Sequence, residues 1–383
     1  MSTHSALSRV ILRNYKSIRN CNVPLGPLTF LVGPNGAGKS NFVEALRLLS
    51  YGLSTSLDVA IANRAGALSI LHRGPQASPI IYFKLFFDLG NQTSGEYSVE
   101  ILTAVDGPVT VFKEECSVRS LTRHDWFKVH SGVVGSNQGI MPAASEDKLY
   151  LVNASGLAPF EPVYRLLSGI AVYNPVPDEI RGFHAEKRFR SLDRNGSALA
   201  ETIFRMKTSG PERLSRITEY LKRINPDVVS VDAVELDANY NLRFELSFGG
   251  PLTQQFWPQN MSDGTLRALA ILVALFQKTE RYPLDIVALE EPESGLHPAA
   301  AGVLFDSLVE GSLFRQVIVT SHSPDLLDRE DIPEHALKAV VMEQGQTLIG
   351  EADEMGKQAM KDRLYTAGEL MRMDQLRPQG LTA

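Results

Sequence analysis

Residues 33–40 read GPNGAGKS and match the spacing G-x-x-x-x-G-K-[ST], whose residue types suit the binding of phosphate groups. The three glycines permit positive φ angles, so that backbone N–H groups can turn inward toward a β-phosphate. Lys39 would place a compact positive charge between the β- and γ-phosphates, and Ser40 would offer its hydroxyl to Mg²⁺. The alternative is a glycine-rich turn with an unrelated lysine. We favour a site for ATP and Mg²⁺, because an apolar strand precedes the loop and a helix follows it.

Residues 284–292 read LDIVALEEP, an apolar run that is typical of a buried strand and that ends in two carboxylates. At the end of such a strand, beside a phosphate loop, carboxylates can reach Mg²⁺ and polarise the attacking water. We therefore predict that Glu290 is the carboxylate on the metal side and that Glu291 is the general base. The alternative is an exposed acidic turn, which is common after strands.

Three further segments carry residues that could contact a nucleotide, although each also has a plain structural interpretation. Ser262 and Gly264, in MSDGT, precede an apolar helix and could bind an anion at its N-terminus or simply cap it. His322 follows an apolar strand and could hydrogen-bond a γ-phosphate or water, or be an ordinary loop residue. Lys16 and Ser17, in NYKSI, are predicted to lie in a turn between two strands.

The elements that must position these residues can be predicted from apolar periodicity. Apolar runs predict buried strands over 28–32, 285–289 and 316–320, and alternating runs predict antiparallel strands between residues 80 and 112. A hairpin is predicted over 228–247 with its turn at Asn239 and Asn241, and a loop over 131–147. Helices are predicted after the phosphate loop, over 214–224 and over 265–277.

The bulk composition is that of a soluble globular protein, with 383 residues, 44% of them apolar and 21% charged. Two cysteines without a CxxC pair argue against a zinc site and a disulfide framework. We find neither a secretory signal nor an apolar run long enough to span a membrane, so we expect a cytoplasmic protein. The net charge is −6, yet residues 181–223 contain eleven Lys and Arg against five Asp and Glu.

That basic segment keeps contact with a DNA backbone possible. The candidate DNA contacts are Arg181, Lys187, Arg188, Arg190 and Arg194. A solvated basic face is the competing interpretation.

The order of these segments resembles that of ABC-type ATPase heads: phosphate loop, SDGT, EEPESGLHP and TSHSP, with NYKSI ahead of them. Ser262 lies 28 residues before Glu290, and His322 lies 31 residues after Glu291. The set is most similar to the SMC/RecF/OLD-like group of AAA ATPases, and in particular to stand-alone bacterial predicted ATPases. The resemblance implies an α/β P-loop NTPase with ABC-ATPase head architecture: a mixed sheet with a RecA-like parallel core, an antiparallel β subdomain and a helical lobe.

The resemblance also implies roles for the matching residues. Ser262 and Gly264 would form the signature motif, which reaches the γ-phosphate bound to the opposite subunit of a homodimer. Residues 294–297 would form the D-loop at the dimer interface, and His322 would be the switch histidine. The residues expected to contact the nucleotide are Lys16, Ser17, Gly33, Asn35, Gly36, Ala37, Gly38, Lys39, Ser40, Asn41, Ser262 and Gly264. Lys39, Glu291 and His322 would be catalytic, and Ser40 and Glu290 would hold the metal.

The chain departs from the pattern of that group at several points. Glu290 stands where many ABC proteins have Asp, and Asp263 precedes Gly264 where a second glycine is usual. There is no coiled-coil insertion, and the Q-loop is not placed, with Gln138 only a nominal candidate. About 60 residues follow His322, fewer than the ~100 residues of the TOPRIM nuclease domain that follows the ATPase in OLD nucleases. We therefore expect a nuclease or toxin effector to act in trans.

These observations predict an ATP-hydrolysing ABC-type ATPase that dimerises on ATP and drives or gates a DNA-related process or a partner effector, as in phage defence or DNA repair. One alternative is the nucleotide-binding subunit of a membrane transporter, which the absence of LSGGQ and DEPT motifs disfavours. The other is a non-hydrolysing ATP-binding scaffold. We predict four parts: residues 1–180, lobe I with the phosphate loop; 181–264, basic lobe II; 265–345, the core with the carboxylate pair; and 346–383, a C-terminal extension.

Overall fold

The computed structural model describes residues 5–74, 78–103, 109–145, 147–182, 191–236, 239–250, 252–278 and 284–380. Within these residues the strands are β1 (Ala6–Tyr15), β2 (Ile18–Pro24), β3 (Leu28–Val32), β4 (Ile80–Asp88), β5 (Ser94–Thr103), β6 (Val109–Arg119), β7 (His124–His130), β8 (Val133–Ser136), β9 (Ala171–Tyr173), β10 (Val228–Leu236), β11 (Asn239–Leu246), β12 (Gln254–Phe256), β13 (Ile286–Glu290), β14 (Gln316–Ser321), β15 (Leu337–Glu343) and β16 (Gln346–Gly350).

The described residues also form thirteen α-helices. They are α1 (Lys39–Ser54), α2 (Leu57–Ala62), α3 (Ala67–Ile70), α4 (Tyr150–Ala154), α5 (Glu161–Ser168), α6 (Pro177–Arg181), α7 (Leu199–Ser209), α8 (Pro211–Ile224), α9 (Asp263–Phe276), α10 (Ala301–Ser312), α11 (Pro324–Leu327), α12 (Glu354–Lys361) and α13 (Ala367–Arg372).

A six-stranded mixed sheet, in the order β16-β15-β3-β14-β13-β9, forms the centre of the molecule. Its strands are parallel except for β16, which pairs antiparallel with β15. The three buried strands predicted from apolar runs are confirmed as β3, β13 and β14. They read as continuous apolar runs because both faces of a parallel sheet are covered.

Each face of the mixed sheet borders its own hydrophobic core. Ile286 and Ala288 of β13 contribute to one core, together with α1, α5 and a seven-stranded antiparallel sheet. Val287 and Leu289 contribute to the other, together with α8, α9 and α10. Helix α9 is apolar on nearly all sides because it is enclosed on nearly all sides, as expected of a core helix.

The seven-stranded sheet has the order β2-β1-β4-β5-β6-β7-β8 and is antiparallel throughout. Its alternating burial pattern, clearest in β4, confirms the antiparallel strands predicted between residues 80 and 112. The predicted loop over 131–147 is partly wrong, because Val133 to Ser136 pair with β7. The register runs from Phe127 opposite Ser136 to His130 opposite Val133, so this short strand β8 extends the sheet beyond β7.

A three-stranded sheet, β10-β11-β12, packs against α7 and α8. This sheet and the two helices together form the helical lobe. The predicted hairpin is confirmed, but its predicted turn is wrong. Asn239 and Asn241 both lie in β11, where they pair with Leu236 and Val234. Asparagine is common in turns, yet the ladder hydrogen bonds place these two residues in the strand.

The four-part division of the chain stays a prediction. Its last boundary, between residues 345 and 346, falls in the β15–β16 hairpin, whose two strands belong to the central sheet. Among the described residues, every helix is too short or too polar to cross a lipid bilayer.

Glu114, on β6, is a fully buried carboxylate that ties the antiparallel sheet to the start of α4. It accepts hydrogen bonds from the Tyr97 hydroxyl (2.9 Å) and from the backbone N–H groups of Tyr150 (2.6 Å) and Leu151 (2.7 Å). Burial raises the pKa of Glu114 to about 7, and the three donors offset only part of this effect. The folded protein therefore holds a proton that the unfolded chain releases at lower pH.

Because its folded pKa is raised above its unfolded value, Glu114 should lower the free energy of unfolding as the pH rises from about 4.5 to about 7. The change is on the order of 3 kcal/mol. In Glu114→Gln the group no longer titrates, so the stability advantage of the wild type should shrink as the pH rises through this window. Urea unfolding of both proteins at pH 5, 6, 7 and 8 measures the difference. A difference independent of pH would contradict the prediction.

Candidate functional site

The carboxyl ends of three neighbouring parallel strands bring the predicted motifs to one edge of the central sheet. β3 runs directly into the phosphate loop, β13 ends at Glu290, and β14 ends at Ser321, just before His322. The register pairs Val32 with Ser321 and Glu290 with Thr320. Segments almost 300 residues apart therefore meet at the edge where open α/β sheets bind their ligands.

The phosphate loop curves around the ammonium group of Lys39, which is almost fully buried. Lys39 Nζ donates hydrogen bonds to the carbonyl oxygens of Gly33 (2.8 Å) and Pro34 (2.9 Å). Burial lowers the pKa of Lys39, and the nearby carboxylates of Glu291 and Glu293 oppose that shift. Lys39 thus lies inside the loop with acidic partners within electrostatic reach.

The backbone of the loop needs its glycines. Gly36 and Gly38 have φ angles of 77° and 98°, in the left-handed region where residues with a Cβ are strained. Gly38 precedes α1 and offers no side chain to cap it, which leaves the first N–H groups of the helix for an anion. Asn35 and Ser40 are exposed at this point, whereas Ala37 is buried.

Thr347, on β16, is a fully buried residue that contacts the phosphate loop. Its Oγ1 donates a hydrogen bond to the Ala37 carbonyl (2.9 Å) and lies 2.6 Å from Ser17 Oγ, which also accepts from Asn41 Nδ2 (2.6 Å). A Cβ at Gly38 would overlap Thr347 Oγ1. Ser17 and Asn41 therefore hold the loop through Thr347, a residue that belongs to no sequence motif and that was missed for this reason.

Glu290, the predicted metal-side carboxylate, is buried and ion-paired. Arg194 Nη2 donates to Glu290 Oε2 (2.6 Å) and lies 2.9 Å from an oxygen of Glu44, on α1. Lys16 is near the same pair: burial lowers its pKa, and the charges of Glu44 and Glu290 oppose the shift. Sequence analysis assigned Arg194 to a possible DNA surface and did not connect it with Glu290.

Glu291 and His322, the predicted base and switch histidine, are neighbours. His322 Nδ1 lies 3.2 Å from Glu291 Oε1, although the two groups are not aligned as a hydrogen bond. Glu291 has a φ of 45°, and its backbone N–H donates to the Thr320 carbonyl (2.9 Å), which fixes the turn after β13. Both side chains are about one-third exposed, so they remain open to water and to a ligand.

Glu293 is a buried acidic residue that sequence analysis did not single out. Ser321 Oγ donates to its Oε1 (2.6 Å), whereas its Oε2 is buried and has no hydrogen-bond partner within the described part of the chain. Burial raises the pKa of Glu293. The pair links the turn after β13 to the end of β14, the two segments that carry Glu291 and His322.

Ser262 and Gly264 lie at the start of α9. Ser262 is exposed and is the N-cap: its Oγ accepts a hydrogen bond from Thr265 N–H (3.3 Å). A Cβ at Gly264 would overlap the Gly295 carbonyl oxygen, so the predicted signature and D-loop segments pack closely within one chain. The capping role is therefore observed, and the nucleotide role stays a prediction.

The candidate Q-loop residue Gln138 is wrong. Its Nε2 donates to Asp125 Oδ1 (2.7 Å), on β7 of the antiparallel sheet. The strand next to β13 is β9, and the residue at its carboxyl end is Asn174, whose backbone N–H donates to the Arg194 carbonyl (2.9 Å).

The cations of the basic segment are largely engaged within the chain. Arg181 donates to the Met261 carbonyl (2.9 Å) and pairs with Asp178 and Asp263, while Arg194 pairs with Glu44 and Glu290. Further ion pairs join Lys207 to Asp232, Arg216 to Glu310 and Arg223 to Asp306. Lys187, Arg188 and Arg190 lie outside the described residues. DNA contact through this segment stays a prediction.

The residues at the sheet edge fit a magnesium ion that arrives with the nucleotide. Mg²⁺ prefers oxygen ligands and typically takes one or two protein groups together with phosphates and water. Ser40 offers an exposed hydroxyl at the start of α1. Glu290 has one oxygen bound to Arg194, and its Oε1 takes no hydrogen bond from any described residue.

Two family models match the chain. Residues 6–86 match the AAA ATPase domain, and residues 168–328 match a model described as AAA domain, putative AbiEii toxin, Type IV TA system. Together these two stretches include the phosphate loop, the signature segment, the carboxylate pair and the switch histidine.

Curated relatives are similar at low identity. Endonuclease GajA of Bacillus cereus (strain VD045) is 22% identical over 94% of this chain and 63% of its own length. Old nuclease of Escherichia phage P2 is 23% identical over 87% of this chain and 58% of its own length. The chain thus spans about three fifths of the length of these two relatives. The DNA replication and repair protein RecF of Vibrio vulnificus (strain YJ016) is 45% identical over only 12% of this chain.

Solved structures show the fold. An SMC head bound to the C-winged helix domain of ScpA superposes with a TM-score of 0.57 at 16% identity, covering 93% of this chain and 99% of that one. An SMC head domain with an extended coiled coil, from Pyrococcus furiosus, gives a TM-score of 0.52 at 12% identity, covering 94% and 99%.

The fold and the phosphate loop define the class of this chain: it is a P-loop NTPase with ABC-type architecture. More particularly, the matching family models and relatives support an ATPase head similar to those of the SMC/RecF/OLD-like group. The fold and the resemblance expected from the motifs are therefore confirmed.

Thr347→Val should weaken nucleotide binding, because valine keeps the shape of the side chain but leaves the Ala37 carbonyl and the Ser17 hydroxyl without this partner. An unmatched buried polar group costs about 1 to 3 kcal/mol, so we expect roughly a tenfold loss of affinity for ATP. Thr347→Ser keeps the hydroxyl and is the matched control, with affinity near that of wild type. Equilibrium binding of a fluorescent ATP analogue measures both, and equal affinities would contradict the supporting role of Thr347.

Proposed function

We propose that this chain binds ATP with Mg²⁺, hydrolyses it, and dimerises around the nucleotide as an ATP-gated switch. One observation carries the proposal: the phosphate loop, Glu290, Glu291 and His322 converge at the carboxyl edge of three adjacent strands. Such an edge supplies a phosphate cradle, a metal-side carboxylate, a base and a polar partner for the base, which are the parts that phosphoryl transfer to water requires.

The side chains can divide the reaction among them. Lys39 would exchange its two loop carbonyls for oxygens of the β- and γ-phosphates. Glu291 would accept a proton from water as the water oxygen attacks the γ-phosphorus and the bond to the bridging oxygen of ADP breaks. His322, 3.2 Å from the Glu291 carboxylate, would hydrogen-bond the γ-phosphate or the water. Magnesium bound through Ser40 and Glu290 would neutralise phosphate charge.

The dimer rests on the position of Ser262. This residue lies exposed at the start of a 14-residue helix, where backbone N–H groups favour an anion. In the SMC/RecF/OLD-like arrangement, this helix start faces the nucleotide of a second copy. ATP binding and dimerisation are then a single event, and hydrolysis by Glu291 ends it.

The output of the switch is a DNA-directed process. This part of the proposal is supported by the names of two similar proteins, an endonuclease and the Old nuclease, and by the similarity to RecF. We propose that the effector is a nuclease or toxin outside the sequence described here, in phage defence or DNA maintenance.

Glu291→Gln should trap an ATP-bound dimer, because the amide keeps the shape of the base but cannot accept the proton of the attacking water. We expect size-exclusion chromatography with light scattering to give twice the monomer mass in ATP and Mg²⁺, with phosphate release near background. Lys39→Ala, which lacks the phosphate-binding charge, is the control and should stay monomeric. A monomeric Glu291→Gln protein that still binds ATP would refute the dimer, and phosphate release by the wild type alone would exclude a non-hydrolysing scaffold.

Mixing two inactive variants tests whether the site is shared between subunits. Ser262→Asp should still cap α9, since aspartate caps as well as serine, but its charge would repel a γ-phosphate. In a heterodimer of Lys39→Ala and Ser262→Asp chains, one site carries both defects and the other carries none. An equal mixture should recover roughly a quarter of wild-type phosphate release. A mixture as inactive as each variant alone, with heterodimers present, would speak against a site completed in trans.

A further inference from the structure

Arg194 connects the two acidic side chains that flank the nucleotide site. Its Nη2 lies 2.6 Å from Glu290 Oε2 and 2.9 Å from Glu44 Oε1. Both carboxylates are well buried, with side-chain exposures of 5% and 12%. A buried carboxylate without a partner is costly, and the guanidinium of Arg194 is the counter-charge of Glu290 at the sheet edge.

The backbone holds Arg194 in place on both sides. The Asn174 N–H donates to the Arg194 carbonyl (2.9 Å), and the Val176 N–H donates to the Asn195 carbonyl (2.8 Å). Two residues earlier, the Leu192 N–H donates to the side chain of Gln277, which is buried at the end of α9. The segment is thus fixed against β9, the strand that pairs with β13. The backbone of Arg194 is therefore fixed relative to the sheet that carries Glu290.

Among the described residues, Glu44 has several cationic partners, whereas Glu290 has one. Arg47 Nη1 lies 3.2 Å and Arg64 Nε 3.4 Å from Glu44 oxygens. Among the described residues, only Arg194 forms an ion pair with Glu290. Loss of Arg47 therefore removes a charge from the same cluster without touching Glu290, which makes Arg47 a matched control.

We propose that Arg194 is a positioning residue for Glu290: it fixes Oε2 and thereby leaves Oε1 in a defined orientation for the magnesium that accompanies ATP. This inference rests on the proposed function of the site. Groups that hydrogen-bond a metal-ligating carboxylate orient it, and their loss typically lowers metal affinity by about 10- to 100-fold. The same two contacts also link α1, which follows the phosphate loop, to the end of β13.

The closing experiment measures binding and not turnover. A fluorescent ATP analogue with a non-hydrolysable β–γ bridge is bound to the full chain, first in EDTA and then over a Mg²⁺ titration. For Arg194→Gln we expect the Mg²⁺ concentration at half-saturation to rise by about 10- to 100-fold, while the affinity in EDTA stays close to that of wild type. Arg194→Lys keeps one charge and should lie in between, and Arg47→Gln should match wild type. A merely structural role would lower the affinity in EDTA and the melting temperature together.

Other outcomes would contradict either the positioning role of Arg194 or the proposed function of the site. An unchanged or lower Mg²⁺ midpoint in Arg194→Gln, with wild-type binding intact, would overturn the positioning role and show instead that Arg194 is dispensable or competes with the metal. If Arg194→Gln does not fold, an Arg194→Lys midpoint equal to that of wild type overturns it equally. If the wild type itself binds no analogue in Mg²⁺, the proposed function fails and the role of Arg194 falls with it.

Discussion

The pairing of β3, β14 and β13 is the constraint on which the rest of the site depends. Parallel strands in register end at the same edge of the sheet, so the residues that follow each strand lie close together. The phosphate loop, the carboxylate pair and His322 are brought together in this way. The strands themselves are held by burial on both faces, in two separate cores. Stability and the geometry of the site therefore have the same origin.

An edge that gathers so many charged groups needs internal counterparts for them. Lys39 is held by two loop carbonyls, Glu290 by Arg194, and Glu293 by the hydroxyl of Ser321. Each of these contacts satisfies a buried polar group that would otherwise be costly.

Two arginines between β9 and α7 contact residues that lie far apart along the chain. Arg194 reaches the carboxylate end of β13, and Arg181 reaches Asp263 and Met261 at the start of α9. Both arginines belong to the predicted basic segment, but each forms ion pairs within the chain, one at each half of the proposed composite site. Within the described part of the chain, the ion pairs of Arg181 and Arg194 thus neutralise part of the excess positive charge of residues 181–223.

Elements and motifs whose signals are local could be predicted from the amino-acid sequence. A phosphate loop needs a fixed spacing of glycine, lysine and serine, and doubly buried strands need apolar runs, so GPNGAGKS, β3, β13 and β14 could be predicted directly. The folded structure supplied contacts that no motif indicated: Thr347 with the phosphate loop, Arg194 with Glu290, and Gln138 with Asp125. These residues carry no motif, because their contacts depend on strand order and register and not on their neighbours in the chain. The same holds for Asn239 and Asn241, where ladder pairing overrode a local preference for turns.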